Sequence, residues 1–170
     1  PTREGYIFAG WYDNETCEGS IFDFTVIVTK DITLYAKWVK IENATAIAIN
    51  GSVNITLNGK TEQKLMFVPL VSGNITITSS GSYDTFGVLY NADMVALVQD
   101  DDTASDGINF HIVYNVTAGK VYYIGARAFS STTTGSATVS ISGNTTVLDG
   151  GYTITASKDT VIYGSNFTLK

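Results

Sequence analysis

The chain of 170 residues contains one cysteine, one histidine and two prolines. A lone Cys17 leaves no disulfide framework, and Cys and His together are too few for a zinc set. No apolar run reaches the roughly 18 residues of a membrane span. Charged residues make up only 15%, but apolar residues reach 44%, a balance that excludes intrinsic disorder. The Glu, Lys, Leu and Ala richness of a coiled coil is missing too. A more local absence matters most: between Lys64 and Lys120 there is no Lys, Arg or Glu.

That same stretch holds six aspartates, Asp84, Asp93, Asp100, Asp101, Asp102 and Asp106. Elsewhere ten basic and ten acidic residues cancel, so this one segment carries the whole net charge of −6. Nucleic-acid binding needs clustered Lys or Arg to replace counterions, and here the clustered sign is wrong. Anionic lipid is excluded as a partner on the same ground. A hard cation suits such a segment, as does plain solvation of an acidic loop. The chain begins at Pro1 without a Met and shows no signal peptide or sorting motif, so it reads as a piece of something longer. Abundant Thr, Ser, Asn and Gly beside a single Cys fit an exported, extracellular protein. Seven Asn-x-Thr triplets follow from Thr in strands and Asn at turns, or mark glycosylation sites in a eukaryotic secreted chain.

Almost every segment alternates with period two. Strands are expected at 44–50, 52–57, 64–70, 74–78, 86–90, 94–99, 109–116, 121–129 and 137–142. Asn50-Gly51 favours the positive φ values of a tight hairpin between the first two. Pro69 argues for an edge position or a strand end. No window supports an amphipathic helix. About nine short strands at roughly 8–12-residue spacing predict an all-β fold, an antiparallel sandwich or jelly roll. Texture divides the chain at 1–40, 41–145 and 146–170. The last part is expected to add strands or to open a following domain.

The words Pro1-Thr-Arg-Glu-Gly-Tyr-Ile-Phe-Ala-Gly-Trp-Tyr12, Phe22-Asp-Phe24 and Asp31-Ile-Thr-Leu-Tyr-Ala-Lys-Trp38 resemble the second half of the Listeria–Bacteroides surface repeat of the internalin B type. The resemblance implies a β-grasp-like unit of a bacterial cell-surface or secreted protein, here without its opening strand and helix. Tyr6, Phe8, Trp11, Leu34, Tyr35 and Trp38 are its expected aromatic core. Further along, Gly81-Ser-Tyr-Asp84-Thr-Phe-Gly-Val-Leu-Tyr90, Asp100-Asp-Asp102, Asn109-Phe110 and Thr117-Ala-Gly-Lys-Val-Tyr-Tyr-Ile-Gly125 resemble the bacterial pre-peptidase C-terminal domain, over about residues 60–142. That resemblance implies a non-catalytic β-sandwich used for attachment, in some members with calcium. No peptidase domain accompanies it, which favours an attachment or spacer role over maturation.

Catalysis finds little support in the residues. His111 alternates with Phe110 and Ile112 and is expected on the solvent face of its strand, and no Gly-x-Ser-x-Gly elbow surrounds any serine. Cys17 lies among acids that would raise its thiol pKa. Calcium is the sharper chemistry: Asp84, Asp100, Asp101, Asp102, Asp106 and Asn109 supply closely spaced oxygens, although not with EF-hand spacing. Aspartates capping turn amides would use the same residues. Tyr83, Phe86, Tyr90, Tyr114 and Tyr122 are candidate sugar-stacking rings, and one of Tyr122 and Tyr123 must face outward. Arg127 would either pair with the acidic loops or hold a ligand. Two roles are therefore open, a calcium-stiffened spacer beside neighbouring domains or a module binding polysaccharide or extracellular matrix. Burial of the aromatics would favour the first and a row of exposed ones the second.

Overall fold

The computed structural model describes residues 1–144 and 166–169. They fall in two compact units, Pro1–Lys40 with Thr146–Lys170, and Ile41–Thr145. In the first unit, β1 (Tyr6–Tyr12) and β2 (Ile32–Lys40) pair antiparallel, with Phe8 opposite Trp38 and Tyr12 opposite Tyr35. The register slips between Phe8 and Trp11, where Gly10 adopts φ +107°. A Cβ at Gly10 would lie 2.7 Å from Ile21 side-chain carbons, so the close approach also needs glycine. Phe8 meets Trp11 and Trp38 edge-on at 5.4 and 5.5 Å. Leu34 is buried with Phe24, against which Phe22 packs at 4.9 Å. The small core thus draws Phe22 and Phe24 from the β1–β2 connection, which strand periodicity did not place there. A last strand of this unit, Asn166–Leu169, pairs antiparallel with β2, Phe167 opposite Leu34. The other strand-like runs of the tail, at 152–155 and 160–163, lie outside the described residues.

The second unit is a two-sheet β-sandwich of nine strands: β3 (Thr45–Ala46), β4 (Ser52–Asn58), β5 (Gln63–Phe67), β6 (Gly73–Ser80), β7 (Thr85–Asn91), β8 (Ala96–Asp100), β9 (His111–Val116), β10 (Tyr122–Ala128) and β11 (Thr134–Gly143). In chain order Asn166–Leu169 is then β12. One sheet runs β3-β5-β10-β7-β8 and the other β4-β11-β6-β9, antiparallel except for the short β3–β5 pairing. Alternate residues of both sheets point between them, among them Ile55 and Leu57, Leu65 and Phe67, Ile75 and Ile77, Ile124 and Ala126, Val139 and Ile141. Period two is therefore the pattern of a half-buried sheet, with Thr, Ser and Asn on the outward faces.

The expected hairpin at Asn50-Gly51 does not form. β3 joins the five-stranded sheet while β4 pairs with β11 in the other, so the segment between them crosses from sheet to sheet. Ile47 is buried on the way, its amide donating to the Met66 carbonyl at 3.0 Å. Asn50 does take a positive φ of 60°, but the turn serves β11: the Asn50 side-chain oxygen accepts the Gly143 amide and the Gly51 carbonyl accepts that of Ile141, both at 3.0 Å. Burial of Ile47 overrides the local turn signal. β5 stops at Phe67, and the Pro69 carbonyl accepts the Gly119 amide at 2.8 Å.

Ile77 is fully buried in β6 between the two sheets. Replacing it with Ala should cost the sandwich about 2–5 kcal/mol, seen as a lower urea midpoint with an unchanged slope.

Candidate functional site

Strand ends carry the acidic cluster. Ser79 is next to last in β6, Thr85 opens β7, Asp100 closes β8 and His111 opens β9. Between the last two, the loop folds back on itself, the Ala104 amide donating to the Asn109 carbonyl at 3.0 Å. Asn109 is completely buried. Its side-chain amide donates to Asp106 Oδ2 at 2.7 Å and to the Gly81 carbonyl at 3.2 Å, while its Oδ1 accepts the Thr85 hydroxyl at 3.2 Å. Ser79 Oγ lies 2.6 Å from Thr85 Oγ1 and accepts the Phe110 amide at 3.1 Å. Phe110 then fills the space over Gly87, where a Cβ would lie 2.6 Å from the ring. A buried polar chain thus ties the β6–β7 turn to the acidic loop.

Two of the aspartates are used in the same way. Asp106 Oδ1 accepts the amides of Ile108 and Asn109, both at 3.1 Å. The Ile108 amide and then the Asn109 side chain hold this carboxyl below its ordinary range. Burial pushes Asp100 up, but the His111 amide at 2.8 Å and the Thr103 hydroxyl at 2.8 Å overcome it and leave the carboxyl lowered. Asp84 is different. Its Oδ1 is buried without a hydrogen-bond partner, and burial first, then repulsion from Asp102 and Asp101, raises its pKa. Of the six oxygen donors expected around calcium, Asn109 is instead a core residue whose oxygen is already taken by Thr85. Asp100 and Asp106 cap backbone amides, Asp101 accepts the Asp102 amide at 3.1 Å, and Asp102 and Asp101 repel Asp84. Among the described residues no three His, Cys, Asp or Glu side chains are grouped to hold a metal ion.

The aromatic candidates separate by strand face. Tyr122 points inward, stacks on Phe67 at 5.5 Å, and its hydroxyl accepts the Thr117 amide at 3.0 Å. That burial removes it from the outward face of its sheet. Tyr83 lies in the β6–β7 turn with its ring against Gly135 and 41% exposed. Tyr90 and Arg127 come together on the outward face of the five-stranded sheet, on β7 and β10. There Tyr123 stands opposite Tyr90, and Arg127 opposite Phe86, with its guanidinium 4.1 Å from the Phe86 ring centroid. Arg127 also donates to the Ala128 carbonyl at 2.8 Å, so it braces the end of its own strand rather than the acidic loops. Glu62 completes this face. Its carboxylate lies over Gly125, in the space a Cβ would fill, and accepts the Tyr90 hydroxyl at 2.9 Å. Burial, followed by that hydrogen bond and the Glu62 charge, pushes Tyr90 up to about 12. Glu62 was not legible as a site residue; a glycine inside the strand 121–129 was the available cue.

His111 has its side chain exposed on β9 between inward-facing Phe110 and Ile112. Cys17 has a raised thiol pKa, but burial is the cause, and nearby Lys37 works against it.

The Asp84 carboxyl holds its proton more tightly folded than unfolded, so its ionisation opposes folding at neutral pH. Asp84→Asn should therefore be more stable than the parent at pH 7 in thermal melts. The gap should close as pH falls through the raised folded value towards the ordinary carboxyl value, because protonation relieves the parent as well.

Residues 41–145 show the topology above on their own. The chain is similar in structure to the pre-peptidase C-terminal domain of a collagenase from Bacillus anthracis, at 18% identity and TM-score 0.49 over 61% of this chain and 98% of that one. It is also similar to a periplasmic inhibitor of g-type lysozyme from Aeromonas hydrophila, at 15% identity and TM-score 0.43 over 58% of this chain and 97% of the other. In sequence it is 36% identical over 86 residues to Internalin H of Listeria monocytogenes, a match covering 49% of this chain. The aligned stretch spans 15% of that relative's length. Residues 1–37 match the family model of the Listeria-Bacteroides repeat domain, a stretch that contains β1 and most of β2.

Proposed function

We propose that the chain is a non-catalytic module of a bacterial cell-surface or secreted protein, structural in its core and adhesive at its surface. The Listeria-Bacteroides repeat and the likeness to Internalin H support the setting. The observation that carries the role is the use made of the reactive side chains. Asp100, Asp106 and Asn109 hold a loop, Tyr122 holds a turn, and His111 projects alone from a strand face. Among the described residues no nucleophile is thereby furnished with a base, which is what acyl or glycosyl chemistry needs. Adhesion to polysaccharide or extracellular matrix is favoured by one surface, the outward sheet face carrying Tyr90, Tyr123, Phe86 and Arg127 around Glu62. Among the described residues no helix is long and apolar enough to cross a membrane.

The test sets binding against turnover. The 170-residue chain should be retained on polysaccharide- or matrix-coated surfaces and leave glycoside, ester and peptide substrates intact. Turnover that disappears in His111→Ala would overturn the reading, and retention on neither surface would overturn its adhesive half.

Calcium stabilisation is a second reading, favoured by the unpartnered, charge-repelled Asp84 oxygen. As placed, the donors do not form a ligand set, so a cation would have to draw Asp101 and Asp102 towards Asp84. At about a hundredfold its dissociation constant, bound calcium adds roughly 2.7 kcal/mol. Melting curves of the parent would then rise by several degrees in calcium relative to chelator, and those of Asp84→Asn would not move. Superimposable parent curves would end this reading and leave Asp84 a plain buried charge.

A further inference from the structure

The edge strands β8 and β9 of the two sheets lie next to each other. An open cavity of about 290 Å³ forms there, lined by Asn91, Asp93, Leu97, Tyr114, Lys120 and Tyr122 among others. It is distinct from the acidic loop and from the outward face of the five-stranded sheet, since Tyr114, Leu97 and Tyr122 all belong to the inward faces. The floor is apolar and aromatic, with the Tyr114 ring meeting Tyr122 at 6.5 Å and 64°. The rim is polar, supplied by two turns.

Both turns are fixed without a ligand. Asn91 Oδ1 accepts the amides of Asp93 and Val95 at 3.0 and 2.9 Å, and Met94 at φ +60° completes that turn. On the other wall, the Lys120 amide donates to the Thr117 carbonyl at 3.3 Å, and Tyr122 holds the Thr117 amide. A preformed pocket with an apolar floor and a few convergent polar groups is the usual form of a small-ligand site. Its volume lies at the small end of the roughly 300–1,000 Å³ typical of such sites, which suits one ring rather than two. Asp93 and Lys120 cancel in charge, so the rim offers an acceptor and a donor without selecting an ion.

We infer that this cavity takes a single neutral sugar ring, a terminal or branching residue of a polysaccharide. Its C–H face lies on Tyr114 and Leu97, Asp93 accepts its hydroxyl protons, and Lys120 donates to its oxygens. The open mouth leaves the rest of the glycan in solvent. This assignment rests on the adhesive reading of the module and places a sugar at a second position, apart from the outward sheet face.

Nuclear magnetic resonance titration of the whole chain with methyl glycosides of neutral hexoses and N-acetylhexosamines tests it. Saturable shifts should appear at Asn91–Leu97, Tyr114 and Lys120–Tyr122, with an affinity on the order of millimolar for one ring. Asp93→Asn and Lys120→Ala alter exposed turn side chains and leave the core intact. Each should weaken binding about tenfold, the effect of losing one charge-assisted hydrogen bond. Equal binding by both variants, or silence with every glycoside, would overturn the assignment. Shifts at Tyr90, Tyr123 and Arg127 with the cavity unmoved would also overturn it but uphold the adhesive reading. Retention on matrix protein without any glycoside response would do the same.

Discussion

A buried side-chain amide must find its hydrogen bonds inside the protein or lose them. At Asn109 this requirement organises one end of the sandwich. The amide group binds the Gly81 carbonyl, Asp106 and the Thr85 hydroxyl, so the β6–β7 turn and the acidic loop have to converge on it. The next residue, Phe110, is thereby seated over Gly87 in the core, and Ser79 takes up its amide. The positions of the acidic loop, of the β6–β7 turn and of Asp84 all follow from that anchor. The acidic run is consequently well ordered by its own backbone, with Asp100 and Asp106 acting as amide acceptors rather than as free charges.

The cluster contains opposing tendencies. Asp100 and Asp106 are stabilised in their ionised forms, and what they contribute is lost as pH falls through their lowered folded values. Asp84 runs the other way, its buried oxygen favouring the protonated form. Asp100 and Asp106 are held by backbone amides, whereas the buried Asp84 oxygen has no such partner and faces Asp102 and Asp101, so carboxyls of one cluster shift in opposite directions.

Much of this fold is legible in the sequence because β4, β6, β9, β10 and β11 each bury one face, and alternation reports such burial directly. The same rule places His111 outward and separates Tyr122 from Tyr123, although which of the two tyrosines is buried depends on the sheet beneath it. Local signals fail where tertiary contacts outweigh them. Asn50-Gly51 makes its turn, but Ile47 is drawn into the core and the strands on either side go to different sheets. The Glu62–Tyr90 contact requires β5, β10 and β7 to be in register side by side, and no spacing in the chain encodes that pairing. The acidic residues themselves are plain in the sequence; whether a carboxylate is spent on a backbone amide is a matter of loop geometry and is not.

The first unit takes strands from both sides of the sandwich. β1 and β12 both run antiparallel to β2, and therefore run in the same direction as each other, while residues 41–145 lie in the chain between β2 and β12. Tension entering before β1 and leaving after β12 would pull these flanking strands in opposite senses along β2, loading their hydrogen bonds in shear. So long as those ladders hold, the pulling force bypasses the sandwich, and its loops and cavity keep their resting geometry.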